Sequence, residues 1–270
     1  MKIGFLGIGN MGGAILSGFA RSSSSSAHNL LAFDKSSSQC EEKQQQIEGL
    51  TLCKSGSELM KASDIAVLGV KPQIMKGVLE EIAPACHKDM VVVSMAAGIS
   101  LAFLEKHLGM DAKIVRIMPN TPAMVGEAMV AVCRNSNVDD EDFALVMDIF
   151  NSVGKAEEVD ESLIDCVIGV SGSSPAYTYM YIQALAEAAE ANGMEPDKAR
   201  IFAAQAVLGA AKMALESRES VEQLRINVCS PNGTTIEAVD RLIENGFMED
   251  VKEGFQAAVN RSMEMTKEKN

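Results

Sequence analysis

Gly7-Ile8-Gly9-Asn10-Met11-Gly12, set directly behind the apolar run Ile3-Gly4-Phe5-Leu6, is the stretch whose reading decides the fold. At a strand-to-helix turn each glycine of such a motif has a physical use. Gly7 permits the tight turn, Gly9 lets the backbone approach a pyrophosphate, and Gly12 lets the next helix pack closely on the strand. The helix then offers unpaired N–H groups and the positive end of its dipole to the phosphates. Glycines at this spacing are also compatible with a plain tight turn, and the context separates the two. A helical stretch with Ala14, Ile15, Gly18 and Phe19 follows, and an acid, Asp34, stands about twenty residues beyond, as in a dinucleotide-binding unit.

The remaining chain is consistent with that start. With 270 residues, 47% of them hydrophobic, it can build one large or two moderate domains with real cores. No long uncharged apolar run occurs, and Met1-Lys2 leads straight into a strand, so neither a membrane span nor a signal peptide is expected and the chain reads as cytoplasmic. A net charge of −13 argues against nucleic acid or an anionic membrane as partner. An anionic cofactor must then find local positive charge, such as Lys35 or Lys71. The six cysteines include no CxxC pair and the three histidines stand apart from them, so no metal is expected and the thiols read as reduced and mostly buried. No GxSxG elbow supports a serine nucleophile.

Up to about residue 160, short apolar runs alternate with amphipathic helical stretches, the rhythm of a parallel sheet covered by helices. Strands are expected at Lys2–Leu6, 30–33, 65–70, 90–95 and Lys113–Met118, with 129–133 and 156–159 at one edge. The serine run 22–26 reads as a mobile surface loop. Beyond Glu161 the strand signals stop, and helices are expected at about 161–192, 196–216, 221–227, 235–245 and 247–267. The stretch 176–191 is apolar on nearly every face (Tyr177, Tyr179, Met180, Tyr181, Ile182, Leu185, Ala188). A helix of that kind needs cover on all sides, more than a domain of this size supplies, and the expected cover is a second subunit. The fold class is therefore α/β: an N-terminal Rossmann-type doubly wound sheet over residues 1–160 and a C-terminal all-helical dimerisation domain over residues 161–270.

Two further segments end strands where an open α/β sheet binds its ligand, Val70-Lys71-Pro72 and Ala96-Ala97-Gly98. Both can line a channel from adenosine to nicotinamide, although Lys71 is equally readable as a solvated surface lysine. Asn120, between Pro119 and Pro122, sits on a stiff loop where a nicotinamide ring would lie, a segment equally readable as a plain structural turn. Asp34 is placed to bind the ribose hydroxyls and repel a 2′-phosphate, which favours NADH, whereas Lys35 and the serines after it supply groups that could hold the phosphate of NADPH. The coenzyme preference stays open. Near the other end, Asn227-Val228-Cys229-Ser230-Pro231-Asn232-Gly233-Thr234-Thr235 runs into a helix start. Its hydroxyls and helix N–H groups suit a carboxylate, and equally an ordinary Ser/Thr cap.

Taken together, Gly7–Gly12, Val70–Pro72, Ala96–Gly98, Asn120-Thr121-Pro122, Gly169–Tyr177 and Cys229–Thr235 stand in the order of the pyrroline-5-carboxylate reductase family, which the whole chain resembles. The resemblance implies reduction of 1-pyrroline-5-carboxylate to L-proline, the last step of proline biosynthesis, with NADPH or NADH. It also implies a helical domain interlocked in a homodimer, with dimers assembling into decamers. Ser230, Gly233, Thr234 and Thr235 match substrate-binding positions and Asn227 lies near the cofactor, supplied in some members across the dimer; Thr235 is expected at the ring nitrogen. Ser174 and Asn232 stand where glycine is commoner, and Gly56 where some relatives carry asparagine. The β-hydroxyacid dehydrogenases share this layout, but Thr178 occupies the position of their catalytic lysine. A non-catalytic nucleotide-binding regulator on the same scaffold is the alternative from another class.

Overall fold

The computed structural model describes residues 1–269. Strands and helices alternate from β1 (Lys2–Leu6) through α1 (Asn10–Arg21), β2 (Asn29–Phe33), α2 (Ser37–Gln46), β3 (Thr51–Leu52), α3 (Gly56–Ala62), β4 (Ile65–Leu68), α4 (Met75–Ile82), β5 (Val91–Ser94), α5 (Leu101–Leu108), β6 (Lys113–Met118), β7 (Ala128–Arg134) and α6 (Asp140–Asn151) to β8 (Gly154–Glu158). The strands form a single sheet in the order β3-β2-β1-β4-β5-β6-β7-β8. The order reverses between β1 and β4, so the connections leave that point on opposite faces and open a crevice at the carboxyl ends of both strands.

Residue alternation along the strands explains the nearly continuous apolar runs. Phe5, Val67 and Val93 face one core with Ile15, Leu16 and Phe19 of α1, while Leu6, Leu68 and Val92 face another with Leu59 and Leu79 from α3 and α4. A strand covered on both sides leaves few positions for a polar side chain. One departure from the expected parallel sheet concerns β7, which runs antiparallel to β6. The linker between them holds only a 3-10 turn, Thr121–Val125, and a parallel crossover needs a dozen or more residues. β3, two residues long, is too short to leave a periodic signal.

The serine run is not an irregular loop. Ser23–Ala27 forms a 3-10 helix, because the hydroxyls of Ser22 and Ser25 donate to the carbonyls of Phe19 (2.7 Å) and Ser22 (2.8 Å) and close the backbone locally. The single helix expected at 161–192 is broken as well. A 3-10 turn (Glu161–Leu163) leads into α7 (Ile164–Val167), then a π-helical stretch (Ile168–Gly172), then α8 (Ser174–Ala191). Pro175 accounts for the break before α8, since its ring would clash with the carbonyl four residues back and it can only stand in a first turn, where it starts α8.

The chain divides into two compact units. The first is Met1–Gly172 joined by the C-terminal stretch from Ala258; the second is Ser173–Ala257. Besides α8 the second unit contains α9 (Pro196–Glu216), α10 (Val221–Asn227), α11 (Thr234–Glu244) and the start of α12 (Phe247–Lys269). Its buried cluster consists of Ala186, Ala199 and Ala203, where α8 meets α9. Its large apolar side chains lie outside that cluster: Tyr179 is 62% exposed, Met180 70% and Phe202 67%. An apolar surface of this extent marks an association site rather than a free surface.

In the first unit, the start of the helical region is tied to the sheet by an ion pair. Arg116 of β6, its side chain 5% exposed, donates to Glu161 at 2.8 Å, and the same Glu161 oxygen accepts the Leu101 N–H at 2.7 Å. Glu161→Ala strands the buried guanidinium and is expected to cost about 3 kcal/mol, seen as a lower urea midpoint, with much of the loss recovered in an Arg116→Met/Glu161→Leu double variant. Burial pushes the Cys86 thiol up to about 11 and the Cys133 thiol up to about 12. Because only the thiolate reacts, Cys86 and Cys133 are expected to escape iodoacetamide in the native protein at pH 8 and to be labelled after denaturation; equal labelling of all six cysteines in the native state would contradict this.

Candidate active site

The site grows out of the turn between β1 and α1. Gly7 has φ +89°, a left-handed conformation that a side chain would strain. A Cβ on Gly12 would run into the Gly7 carbonyl, as would a Cβ on Gly69 behind β4. Three backbones therefore meet without side chains at the point where the strand order reverses. Gly9 is the exception that completes the cradle: a Cβ there would meet nothing within 4 Å. It is the N-cap of α1, with no side-chain cap and no acid in the first turn. The first amides of α1 are thus left for an external acceptor, and phosphate oxygens are such acceptors. The residues fit a dinucleotide.

A cavity of about 290 Å³ opens beside this turn. Among the residues expected to bind cofactor, Gly7, Gly9, Asp34, Lys35, Val70 and Lys71 line it. Gly69, Gln39 and Glu81 line it too and were not anticipated; only Gly69, just before Val70-Lys71-Pro72, carried a legible signal. Asp34 is fixed at the end of β2, one carboxylate oxygen accepting the Ile8 N–H at 2.8 Å and the other the Ser36 N–H at 2.9 Å. Ile8 itself turns its side chain into the core. Asn10 and Met11 stand in the first turn of α1, and Pro72 opens a 3-10 turn behind Lys71. A larger cavity of about 420 Å³, at the amino end of β2 around Arg21, His28 and Asn29, holds none of the expected residues.

Other expected residues have structural duties. Ala96 is buried, and a Cβ on Gly98 would press on the Met265 backbone in α12. Lys269 donates to the Ala97 carbonyl at 3.4 Å. Asn120 is buried with both ends of its amide engaged, donating to the Ser171 carbonyl at 3.0 Å and accepting the Met129 N–H at 2.9 Å. It pins its loop, in keeping with the reading of this proline-flanked segment as a structural turn.

In the second unit, Asn227 likewise spends both ends of its amide, accepting from Gln223 and donating to Glu219, each at 2.8 Å. The chain then turns through Asn232, at φ +60° the non-glycine residue that takes a left-handed conformation. Asparagine tolerates this, which explains its presence where glycine is commoner. Gly233 is the N-cap of α11, its N–H donating to the Ser230 carbonyl at 3.0 Å, and no side chain caps the helix. The ordinary Ser/Thr cap is therefore not what this segment forms. Among the described residues, the hydroxyls of Ser230, Thr234 and Thr235 take no internal hydrogen bond and stand exposed beside the uncapped amides of α11. Thr178, by contrast, donates its hydroxyl to the Ser174 carbonyl at 3.0 Å and offers no proton-managing group.

Comparison with known proteins agrees with both halves. Residues 161–265 match the family model for pyrroline-5-carboxylate reductase dimerisation, and residues 2–98 match that for NADP oxidoreductase coenzyme F420-dependent. The pyrroline-5-carboxylate reductase of Escherichia coli is 45% identical over 266 residues, covering 98% of each chain. Among solved structures, the pyrroline-5-carboxylate reductase of Coxiella burnetii superposes with a TM-score of 0.90 at 34% identity, and the Plasmodium falciparum pyrroline carboxylate reductase with NADP bound with 0.86 at 33%, each covering 98% of both chains. With a glycine cradle at the sheet's switch point and relatives of this identity along nearly the whole length, the chain belongs to the pyrroline-5-carboxylate reductase family.

Proposed function

We propose that this chain reduces 1-pyrroline-5-carboxylate to L-proline, the final step of proline biosynthesis, and that Ser230, Gly233, Thr234 and Thr235 hold the imino acid. The observation that carries the assignment is the start of α11, where a helix N-terminus without a cap stands beside three unengaged hydroxyls. A carboxylate is the natural guest of free helix amides. The Ser230 and Thr234 hydroxyls add donors for the same group, and Gly233 keeps the backbone approachable.

When bound on Gly7–Gly12, a nicotinamide dinucleotide supplies the hydride. The chain's own contribution is orientation. A protonated imine nitrogen already makes the adjacent C5 electrophilic, so no residue needs to remove a hydroxyl proton, in keeping with the absence of a lysine at Thr178. Hydride addition at C5 sends the C=N π pair to the ring nitrogen. The Thr235 hydroxyl hydrogen-bonds that nitrogen and fixes the ring face, while Ser230, Thr234 and the first amides of α11 fix the carboxylate. Asp34, Lys35 and Lys71 border the adenosine end, and Val70–Pro72 the path toward the nicotinamide.

On this reading residues 1–160 form the cofactor domain and residues 161–270 the substrate and dimerisation domain, supported by the match that begins at residue 161. Two chains pair through the exposed apolar faces of α8 and α9, and dimers assemble further into a decamer. The cytoplasm is the compartment we assign, in keeping with six free cysteines; among the described residues no helix is long and apolar enough to cross a membrane.

Losing one hydrogen bond to a charged group, Thr235→Ala is expected to lower kcat/KM for the imine by about tenfold to a hundredfold. Binding of the reduced dinucleotide should stay near wild type, and an unchanged kcat/KM would remove Thr235 from the mechanism. Sedimentation at micromolar concentration should give a mass of at least two chains, with ten as the full assembly; a monomer would refute pairing through α8 and α9.

A further inference from the structure

We propose that Asp34 makes this chain select NADH over NADPH, by fixing a negative charge at the cavity wall that a 2′-phosphate would have to face. The inference rests on the reading that the cavity beside Gly7 and Gly9 takes a nicotinamide dinucleotide, and it adds which one.

Asp34 lines that cavity at the end of β2. Its carboxylate is not free to swing away, because each oxygen accepts a backbone N–H, from Ile8 at 2.8 Å and from Ser36 at 2.9 Å. These bonds hold a full negative charge at the cavity wall and leave each oxygen a further lone pair. Two vicinal ribose hydroxyls are donors and can use those lone pairs. A phosphate ester at the 2′ position is an acceptor only, with a charge of about −1.5 to −2 at pH 7, and it faces a fixed like charge.

Two backbone donors beside Asp34, the Ile8 N–H in the glycine turn and the Ser36 N–H at the N-cap of α2, are already held by its carboxylate. α2 carries no side-chain cap, but a phosphate that reached its first amides would still stand against the fixed charge of Asp34. Nor do the cations reverse the balance. Lys35 and Lys71 line the cavity, but so does Glu81, and two lysines against Asp34 and Glu81 leave no net positive charge for a dianion. Of the serines that follow, the hydroxyls of Ser36 and Ser38 lie 3.1 Å apart and share one hydrogen bond.

The test is equilibrium binding of the full-length protein, read from the fluorescence of the reduced nucleotide itself, since the chain has no tryptophan to interfere. Wild type should bind NADH at least tenfold more tightly than NADPH. Asp34→Ser should narrow that ratio tenfold or more by gaining NADPH affinity. Asp34→Asn keeps an acceptor for a backbone N–H while removing the charge, and should shift the ratio in the same direction even where the serine variant is poorly folded by circular dichroism. Equal or tighter NADPH binding by wild type overturns the proposal, and so does an unchanged ratio in a folded Asp34→Asn protein. Wild type that binds neither nucleotide would overturn the dinucleotide reading itself, an outcome distinct from loss of selectivity.

Discussion

The close approach of three backbones at Gly7, Gly12 and Gly69 is the constraint on which the N-terminal unit depends. A methyl group at Gly12 or Gly69 would meet the Gly7 carbonyl, so the turn after β1, the start of α1 and the end of β4 can share one point only as glycine. That point is also where the strand order reverses. The same turn carries Gly9 as the N-cap of α1, which has no side chain to cap the helix and leaves its first amides open at the mouth of the crevice. Asp34 extends the arrangement by tying β2 to the turn through the Ile8 amide. The negative charge at this cavity wall is therefore built into the fold rather than laid over it.

The second unit follows a different economy. Its helices meet through alanines, which allow α8 and α9 to approach but bury little apolar area. The tyrosines, methionines and phenylalanine that could form a core face outward instead. Apolar burial contributes on the order of 25 cal/mol per Å², so leaving such side chains in water would forgo most of what stabilises a domain of this size. These outward-facing side chains are in keeping with the dimerisation family that residues 161–265 match.

Legibility varied with the range of the interactions. Glycine spacing, β-branched runs and the stops at Gly193 and Pro196 are local signals, and β1 and β6 lie where the sequence places them. The break at Pro175 was equally local and was missed because the apolar pattern runs through it. Asn232 was readable as a left-handed position. The duties of Asn120 and Gly98 were not, since their partners lie in distant parts of the chain: Ser171 for Asn120, Met265 for Gly98. A short motif carries no mark of whether its side chain faces a ligand or another loop.

By itself, the sequence determined the dinucleotide turn, the alternation that makes a covered sheet, and the need of the apolar helix α8 for a partner, because each follows from residue type and spacing within a few turns of chain. The tertiary structure decided the antiparallel β7, the closing of the serine run, and above all the state of Asp34. An acid after the second strand could hold a ribose or yield to the lysine beside it. Only the folded backbone brings the Ile8 and Ser36 amides to its two oxygens. Hydrogen bonds across many residues depend on where the strands are placed, and that is a property of the whole sheet.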